Sequence, residues 1–255
     1  MIQYILDIFV KGGQDMAHFK IKVADLLIDV VARGELTARI CEPYLADSAF
    51  TDISIYATPA QIKKKMASLP IPLTEEQAEC ICLHENLALK LVYHDAFVLH
   101  AALLSYKGKG YAIVAPRGVG KTVHANLWKK RFGDDVTIIN GDKPILRRQS
   151  DGTYLAYGTP WCGKEGQGIN ASVTLDGICL LSRGARDIVR PVTPEGYVSG
   201  VIRQVVFPTD TPAMIRGAHL LGDLIRAVPA VGAECTPNES AADMVLQALS
   251  VNRSK

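Results

Sequence analysis

The sequence predicts a mixed α/β fold (α+β mixed), with a smaller β-rich region at residues 1–94 and a larger domain at 95–255. Three observations carry this. Residues 110–131 read as an apolar strand, a glycine-rich turn and a helix in immediate succession. Elsewhere, runs rich in β-branched and aromatic residues alternate with capped helical patterns. Hydrophobic residues make up 48% of the 255 and charged ones 21%, which is enough apolar material for a sizeable core.

In the N-terminal region Tyr4–Val10, Phe19–Val31 and Asp52–Tyr56 read as strands, punctuated by Gly12-Gly13 and Arg33-Gly34. Thr58 to Gln61 is a capping box with Pro59 at the first helical position, and it predicts a short helix to about Ser68, stopped by Pro70 and Pro72. Thr74 to Gln77 is a second capping box, opening a helix to about Val92 with Ala78, Ile81, Leu87, Leu89 and Leu91 as its apolar positions. His84 within it reads as a surface or hydrogen-bonded histidine rather than a ligand. This region shows no chemistry of its own and is expected to pack on the larger domain or to form a substrate or partner surface.

From Phe97 the character changes. Phe97–Ser105 reads as an apolar strand with His100 in its middle, Tyr106–Gly110 as a turn, and Tyr111–Ala115 as a returning strand, so a β-hairpin leads into the glycine-rich turn. The turn, Ala115-Pro-Arg-Gly-Val-Gly-Lys-Thr122, has the pattern of a P-loop except that Ala115 stands where a glycine usually opens it. The chemistry behind the pattern is specific. Gly118 and Gly120 let successive backbone N–H groups point inward at phosphate oxygens, and the following helix adds the positive end of its dipole. Arg117, Gly118, Val119, Gly120, Lys121, Thr122 and Val123 are therefore the candidate nucleotide-binding residues. Lys121 would reach the β- and γ-phosphates and the Thr122 hydroxyl would bind Mg²⁺.

Val136–Asn140 reads as a short strand with Asp142 just past its end. An acid in that place can hold Mg²⁺ or its water, although Gly141-Asp142 is equally ordinary turn chemistry. Pro144–Arg148 and Tyr154–Tyr157 form a further hairpin. Gly158–Asn170, with four glycines and the charged pair Lys164 and Glu165, reads as a functional loop. Ile178–Ser182 and Ala233–Thr236 read as strands, and Glu195–Val206, Pro212–Ala227 and Ser240–Val251 as helices.

The net charge of +2 gives no argument for nucleic acid or membrane binding, and no apolar run reaches the roughly 18–20 residues of a spanning helix. No signal-peptide pattern is visible at the start. The six cysteines form no Cys-x-x-Cys and read as reduced thiols of a cytoplasmic protein, without the Cys/His spacing of a zinc site.

His100, the hairpin, Ala115–Thr122, Asn140 to Pro144 and Gly158–Asn170 together resemble the C-terminal domain of the HPr kinase/phosphorylase family, and more narrowly its short bacterial relatives, which include peptide-modifying kinases. The resemblance covers roughly residues 96–185 well and the C-terminal helices loosely. It implies the fold shared with phosphoenolpyruvate carboxykinase, in which an antiparallel hairpin leads into the P-loop, and ATP-dependent phosphorylation of a serine-type hydroxyl with Mg²⁺. His100 matches a family histidine near the phosphate site, and Lys121 and Thr122 match the P-loop pair. Two departures stand out. Lys164 to Asn170 lacks the arginine of the family's downstream signature, and Gly141-Asp142 replaces two consecutive aspartates.

The sequence therefore predicts an HPr-kinase-like phosphotransferase that binds ATP and phosphorylates a hydroxyl on a peptide, protein or small metabolite, with homo-oligomers a state that the resemblance leaves open. Lys121, Asp142, His100 and Glu165 are its candidate catalytic residues, and Thr122 and Asp142 its metal ligands, with Asp142 also the candidate general base. The single acid leaves a second reading, a nucleotide-binding accessory or regulatory protein without phosphoryl transfer. A carboxykinase-like reaction is disfavoured by the lack of an arginine cluster for a small dicarboxylate.

Overall fold

The computed structural model describes residues 16–208 and 210–252, which fall into two units, Met1–Lys90 and Leu91–Lys255. The expected strand Tyr4–Val10 lies outside the described residues.

In the first unit, alternating burial along Ala17–Val23 (β1) and Leu26–Ala32 (β2) marks two strands with one face in a core. The run Phe19–Val31 is therefore two antiparallel strands and not one. Ala24 and Asp25, at φ 55° and 56°, make the two-residue turn between the paired Val23 and Leu26. Ile53–Tyr56 (β3) pairs in parallel with β2. Helix α1 (Glu35–Cys41), which the sequence pattern did not disclose, sits between β2 and β3. Helix α2 (Pro59–Ser68) carries the expected capping box in full, with the Thr58 and Gln61 side chains and backbones reciprocally bonded. In α3 (Glu75–Leu91), Thr74 and Gln77 repeat the arrangement.

The second unit is built on a mixed sheet of nine strands, in the order β4-β8-β9-β10-β6-β5-β7, with β12 beside β10 and β11 beside β12. Its strands are β4 (Ala96–Val98), β5 (Ala101–Tyr106), β6 (Lys109–Val114), β7 (Val136–Asn140), β8 (Ile145–Arg148), β9 (Tyr154–Tyr157), β10 (Ser172–Arg183), β11 (Ile188–Pro191) and β12 (Ala230–Cys235). Strand β10 is far longer than its predicted core Ile178–Ser182, because Ser172–Thr174 pairs with β9, Leu175–Leu180 with β6 and Ile178–Arg183 with β12. Strand β11 was not foreseen.

The two faces of the sheet follow from the alternation of side chains. Leu103, Ala112, Val114 and Ile178 face a core closed by α5 (Pro194–Ile202) and α6 (Thr211–Ala227), through Tyr197, Val201, Leu220 and Leu224. Leu104, Tyr111, Ile113 and Cys179 face the opposite core, closed by α4 (Lys121–Phe132) and α7 (Ser240–Asn252), through Trp128, Val245 and Leu249. Trp128 is fully buried against Tyr111 and Phe132. A strand covered on both faces must be apolar throughout, which explains the unbroken run from Tyr111 to Ala115.

Strand direction decides what this unit can do. Strands β10 and β12 run parallel to β6. Strand β5 is antiparallel to β6, and β7 is antiparallel to β5, so β7 also runs parallel to β6. The C-terminal ends of β6, β7, β10 and β12 and the N-terminal end of β5 therefore share one edge of the sheet.

The loop after β9 is fastened to that edge by close backbone approach. A Cβ on Gly158 would lie 1.9 Å from the carbonyl oxygen of Ile169 and 2.9 Å from that of Ile139. Gly158→Ala is expected to destabilise the fold by ~1–3 kcal/mol, as overpacking against an unyielding neighbour does. Urea denaturation checks this, and an unchanged midpoint would contradict the close approach.

Candidate functional site

Segment 115–122 leaves the end of β6 and runs into α4. Gly118 and Gly120 take φ of 82° and 125°, in the region that only glycine occupies at little cost, and so permit the turn. Lys121 is the first residue of the helix and is 7% exposed. Its Nζ donates to the Ala115 carbonyl at 2.9 Å across the turn. Burial lowers its proton affinity, the Asp142 carboxylate partly restores it, and Lys143 lowers it again. Lys121, Asp142 and Lys143 thus act on one another electrostatically at the shared edge. Thr122 and Val119 are half-buried, and Arg117 and Val123 are exposed.

Asp142 is placed by the residue two before it. Asn140 is fully buried at the end of β7, and its Oδ1 accepts from the backbone N–H of Asp142 (2.9 Å) and of Lys143 (2.7 Å). Its Nδ2 donates to the carbonyl and hydroxyl oxygens of Thr159. This is the Asx chemistry of a tight turn, and it bends the chain at the strand end. The Asp142 carboxylate then meets His100 Nε2 at 3.1 Å and Lys143 Nζ at 2.7 Å, one on each oxygen. Burial alone would raise this carboxyl, but the hydrogen bonds from His100 and Lys143 outweigh it and hold the acid well below the usual carboxylate range.

His100 is not in the middle of a strand. It lies between β4 and β5, where the chain changes partners from β8 to β6 and β7, so one uninterrupted strand is ruled out. That break frees the imidazole to bridge Asp142 on one side and Gln204 Oε1, 2.7 Å from Nδ1, on the other.

Glu165 stands on the Gly158–Asn170 loop, whose irregular course agrees with the sequence reading. It is exposed and 3.8 Å from the likewise exposed Lys164. A Cβ on Gly163 would come 3.6 Å from Asp142 Cγ and 3.7 Å from Glu165 Oε2, so the loop brings both carboxylates close to that glycine.

The structure thus gathers Lys121, Asp142, His100 and Glu165 at one edge and adds residues that sequence reasoning missed. Arg183, at the end of β10, donates to the Gly118 and Val119 carbonyls and ties the turn to the sheet. Gln204 fixes His100, and Lys143 pairs with Asp142. Only Lys143, adjacent in sequence to the predicted acid, carried a signal. Arg183 and Gln204 reach the site through topology. Thr122 and Asp142, the expected metal ligands, carry hard oxygen atoms, the donor type that Mg²⁺ prefers.

One histidine beside the site behaves differently. His124, in the first turn of α4, is 3% exposed, and its Nε2 has no hydrogen-bond partner. Burial pushes its pKa from 6.5 down to about 4, against a small opposing pull from Asp187.

No protein-family model matches the chain, and no curated protein matches it in sequence. Among solved structures the chain is similar to the HPr(Ser) kinase/phosphatase from Coxiella burnetii, with 10% identity and a TM-score of 0.38, over 62% of this chain and 99% of that one.

The His124 shift has a consequence for stability. The unfolded chain binds this proton below pH 6.5 while the folded one resists it down to about 4, so stability falls as pH drops through that window. The full difference is on the order of 3 kcal/mol at roughly 1.4 kcal/mol per unit. His124→Phe, which substitutes an aromatic ring that cannot titrate, is expected to flatten this part of the curve in denaturation series run between the two values. An unchanged acid limb would refute it.

Proposed function

We propose that this protein is an HPr-kinase-like phosphotransferase, with the P-loop fold shared by phosphoenolpyruvate carboxykinase, that binds Mg-ATP and transfers the γ-phosphoryl group to a serine-type hydroxyl of a peptide, protein or small metabolite. One observation carries the reading. Strand direction alone places the glycine-rich turn with its buried Lys121, the Asn140-positioned Asp142 and the bridging His100 at the same edge of one sheet.

Backbone N–H groups of the turn and Lys121 would hold the phosphates. Thr122 and Asp142 would hold Mg²⁺, which supplies positive charge to the phosphate oxygens when bound. In the transfer the acceptor oxygen bonds to the γ-phosphorus, the bond to the β–γ bridging oxygen breaks, and ADP leaves with that oxygen. The acceptor's proton passes to a carboxylate at the site, with Asp142 the nearest candidate. An acid held this strongly ionised is a weak base. Phosphoryl transfer asks little of the base, because its transition state is loose and depends mainly on positioning and charge stabilisation. His100 and Gln204 keep the carboxylate aimed, and Glu165 adds a second negative charge on the loop side.

A nucleotide-binding protein without transfer is the second reading, and a specific feature favours it. Both Asp142 oxygens are already engaged, by His100 and Lys143, and position 141 offers no second acid. Restoring an aspartate there does not separate the readings cleanly, since a Cβ on Gly141 would meet the Cys162 carbonyl oxygen at 3.0 Å.

Calorimetric titration of Mg-ATP with ADP assayed in the same samples tests both. Lys121→Ala is expected to lose binding and to cut turnover by on the order of 10² or more. Wild-type-like turnover in that variant would overturn the assignment. Asp142→Asn, which keeps size and removes charge, is expected to lower turnover far more than binding, and equal ADP formation by both proteins would favour the accessory reading. Arg183→Ala leaves the chemistry untouched but frees the turn, so ATP affinity is expected to fall about tenfold for the two lost charge-assisted bonds. Unchanged affinity would show that the turn holds its shape without Arg183.

A further inference from the structure

The three-stranded sheet of the first unit ends in a strand with a neighbour on one side only. Among the described residues β3 pairs with β2 and with no other strand, so one side of its backbone faces away from the sheet. The groups on that side belong to alternate residues, Ser54 and Tyr56. Two side chains of α3 mark them. Lys90 Nζ donates to the Ser54 carbonyl at 2.7 Å, and Asn86 Nδ2 donates to the Tyr56 carbonyl at 2.6 Å. The two donors stand one helical turn apart and meet carbonyls two residues apart. That spacing, about 6–7 Å, is the one at which an added strand presents its own N–H groups.

A cavity of about 440 Å³ lies between this edge and α3. Ile55 and Tyr56 line it on the strand side, Asn86, Leu89 and Lys90 on the helix side, and Gln61 at the start of α2. Tyr56 is 59% exposed and Leu89 36%, so the groove opens to solvent between two apolar side chains.

We propose that this groove receives an extended, acidic peptide segment of a partner protein, which joins the sheet as a fourth strand beside β3. Unpaired strand edges are templates for such addition. Here the edge is capped by side chains and not by backbone. Asn86 offers a side-chain amide where a strand would offer a peptide N–H, and Lys90 offers an ammonium. An entering strand exchanges these two bonds for its own and frees both donors for its other carbonyls and side chains, so the exchange strands no polar group. The Ser54 and Tyr56 N–H groups point the same way as their carbonyls and are placed to donate to the entering strand.

Charge selects the occupant. Glu85 of α3 is paired with Lys65 of α2 at 2.7 Å, and Asp52, just before β3, accepts from the Leu27 N–H and so is turned toward β2. Lys90 and Lys64, the latter three residues beyond Gln61 on α2, are both exposed and form no ion pair among the described residues. A lysine at a strand edge deters strands at large. A carboxylate on the entering strand turns that deterrent into a contact, which is how a repulsive element yields specificity. Nothing in this groove depends on the phosphate-binding reading of segment 115–122.

The test is fluorescence anisotropy of a labelled, blocked hexapeptide of alternating glutamate and valine, titrated with the full chain. The native protein is expected to bind it about tenfold or more tightly than its N-methylated counterpart, which keeps every side chain and has no N–H to donate, and than the same peptide with lysine for glutamate. Ser54→Pro removes an outward N–H of β3 and leaves the side bonded to β2 intact, and is expected to cut affinity about tenfold. Lys90→Glu is expected to reverse the preference in favour of the lysine peptide, a result that a misfolded groove does not give. Equal affinity for the methylated and unmodified peptides overturns strand addition. An unreversed preference in Lys90→Glu overturns the acidic occupant. Absence of binding to any of the peptides overturns the proposal outright. Self-association of the native chain that Ser54→Pro abolishes does so too, since the edge then pairs with a second copy.

Discussion

The architecture of the second unit depends on β6 being covered on both faces. Tyr111 and Ile113 face the core under α4 and α7, and Ala112 and Val114 face the core under α5 and α6. A strand in that position can carry no polar side chain of its own without leaving it unpaired, so polar chemistry is displaced to its end. The chain meets this constraint at once. The residue after Val114 is still buried, and the next five form the turn that carries the backbone out to the edge. Because β7, β10 and β12 run the same way, their ends deliver Asp142, Arg183 and Thr236 to that edge as well.

At the edge, rigidity comes from buried hydrogen bonds and not from the loop's composition. Asn140 is the clearest case. Its side chain caps two backbone N–H groups and bonds Thr159, whose own hydroxyl donates to the Lys143 carbonyl at 2.8 Å. Every one of these groups would otherwise be a desolvated, unpaired polar atom. The network therefore fixes the backbone at 140–143 and ties it to the start of the 158–170 loop, and it leaves the Asp142 side chain to be oriented by His100 and Lys143 alone.

Much of this was legible in the sequence, and the limits of that legibility have physical causes. The strand–turn–helix run was readable because its local signals agree: an unbroken apolar strand, glycines at the two positions of positive φ, and a helix beginning at Lys121. Both capping boxes in the first unit were readable for the same reason. The course of the chain at His100 was not. An apolar stretch looks alike whether it stays with one partner or changes partner midway, and only pairing with β8 on one side and β6 on the other reveals the break. The division of Phe19–Val31 was hidden because Ala24-Asp25 carries no glycine or proline to mark a turn, and Lys20, Lys22 and Asp29 are polar in the same way along the strands themselves. Arg183 and Gln204 were invisible in principle, since their bonds span 65 and 104 residues and their local sequence says nothing of the partner.

Position 141 joins these threads. The space beside its backbone is taken. The Gly141 N–H donates to the Gln167 carbonyl at 2.8 Å, and the Cys162 and Gln167 carbonyl oxygens crowd the place where a Cβ would go. The loop has closed onto the strand end, and the same closure brings Gly163 against Asp142 and carries Glu165 toward it. Lys121 and Lys143 stand there against Asp142 and Glu165, so the two cations and the two acids of the edge balance one another in charge.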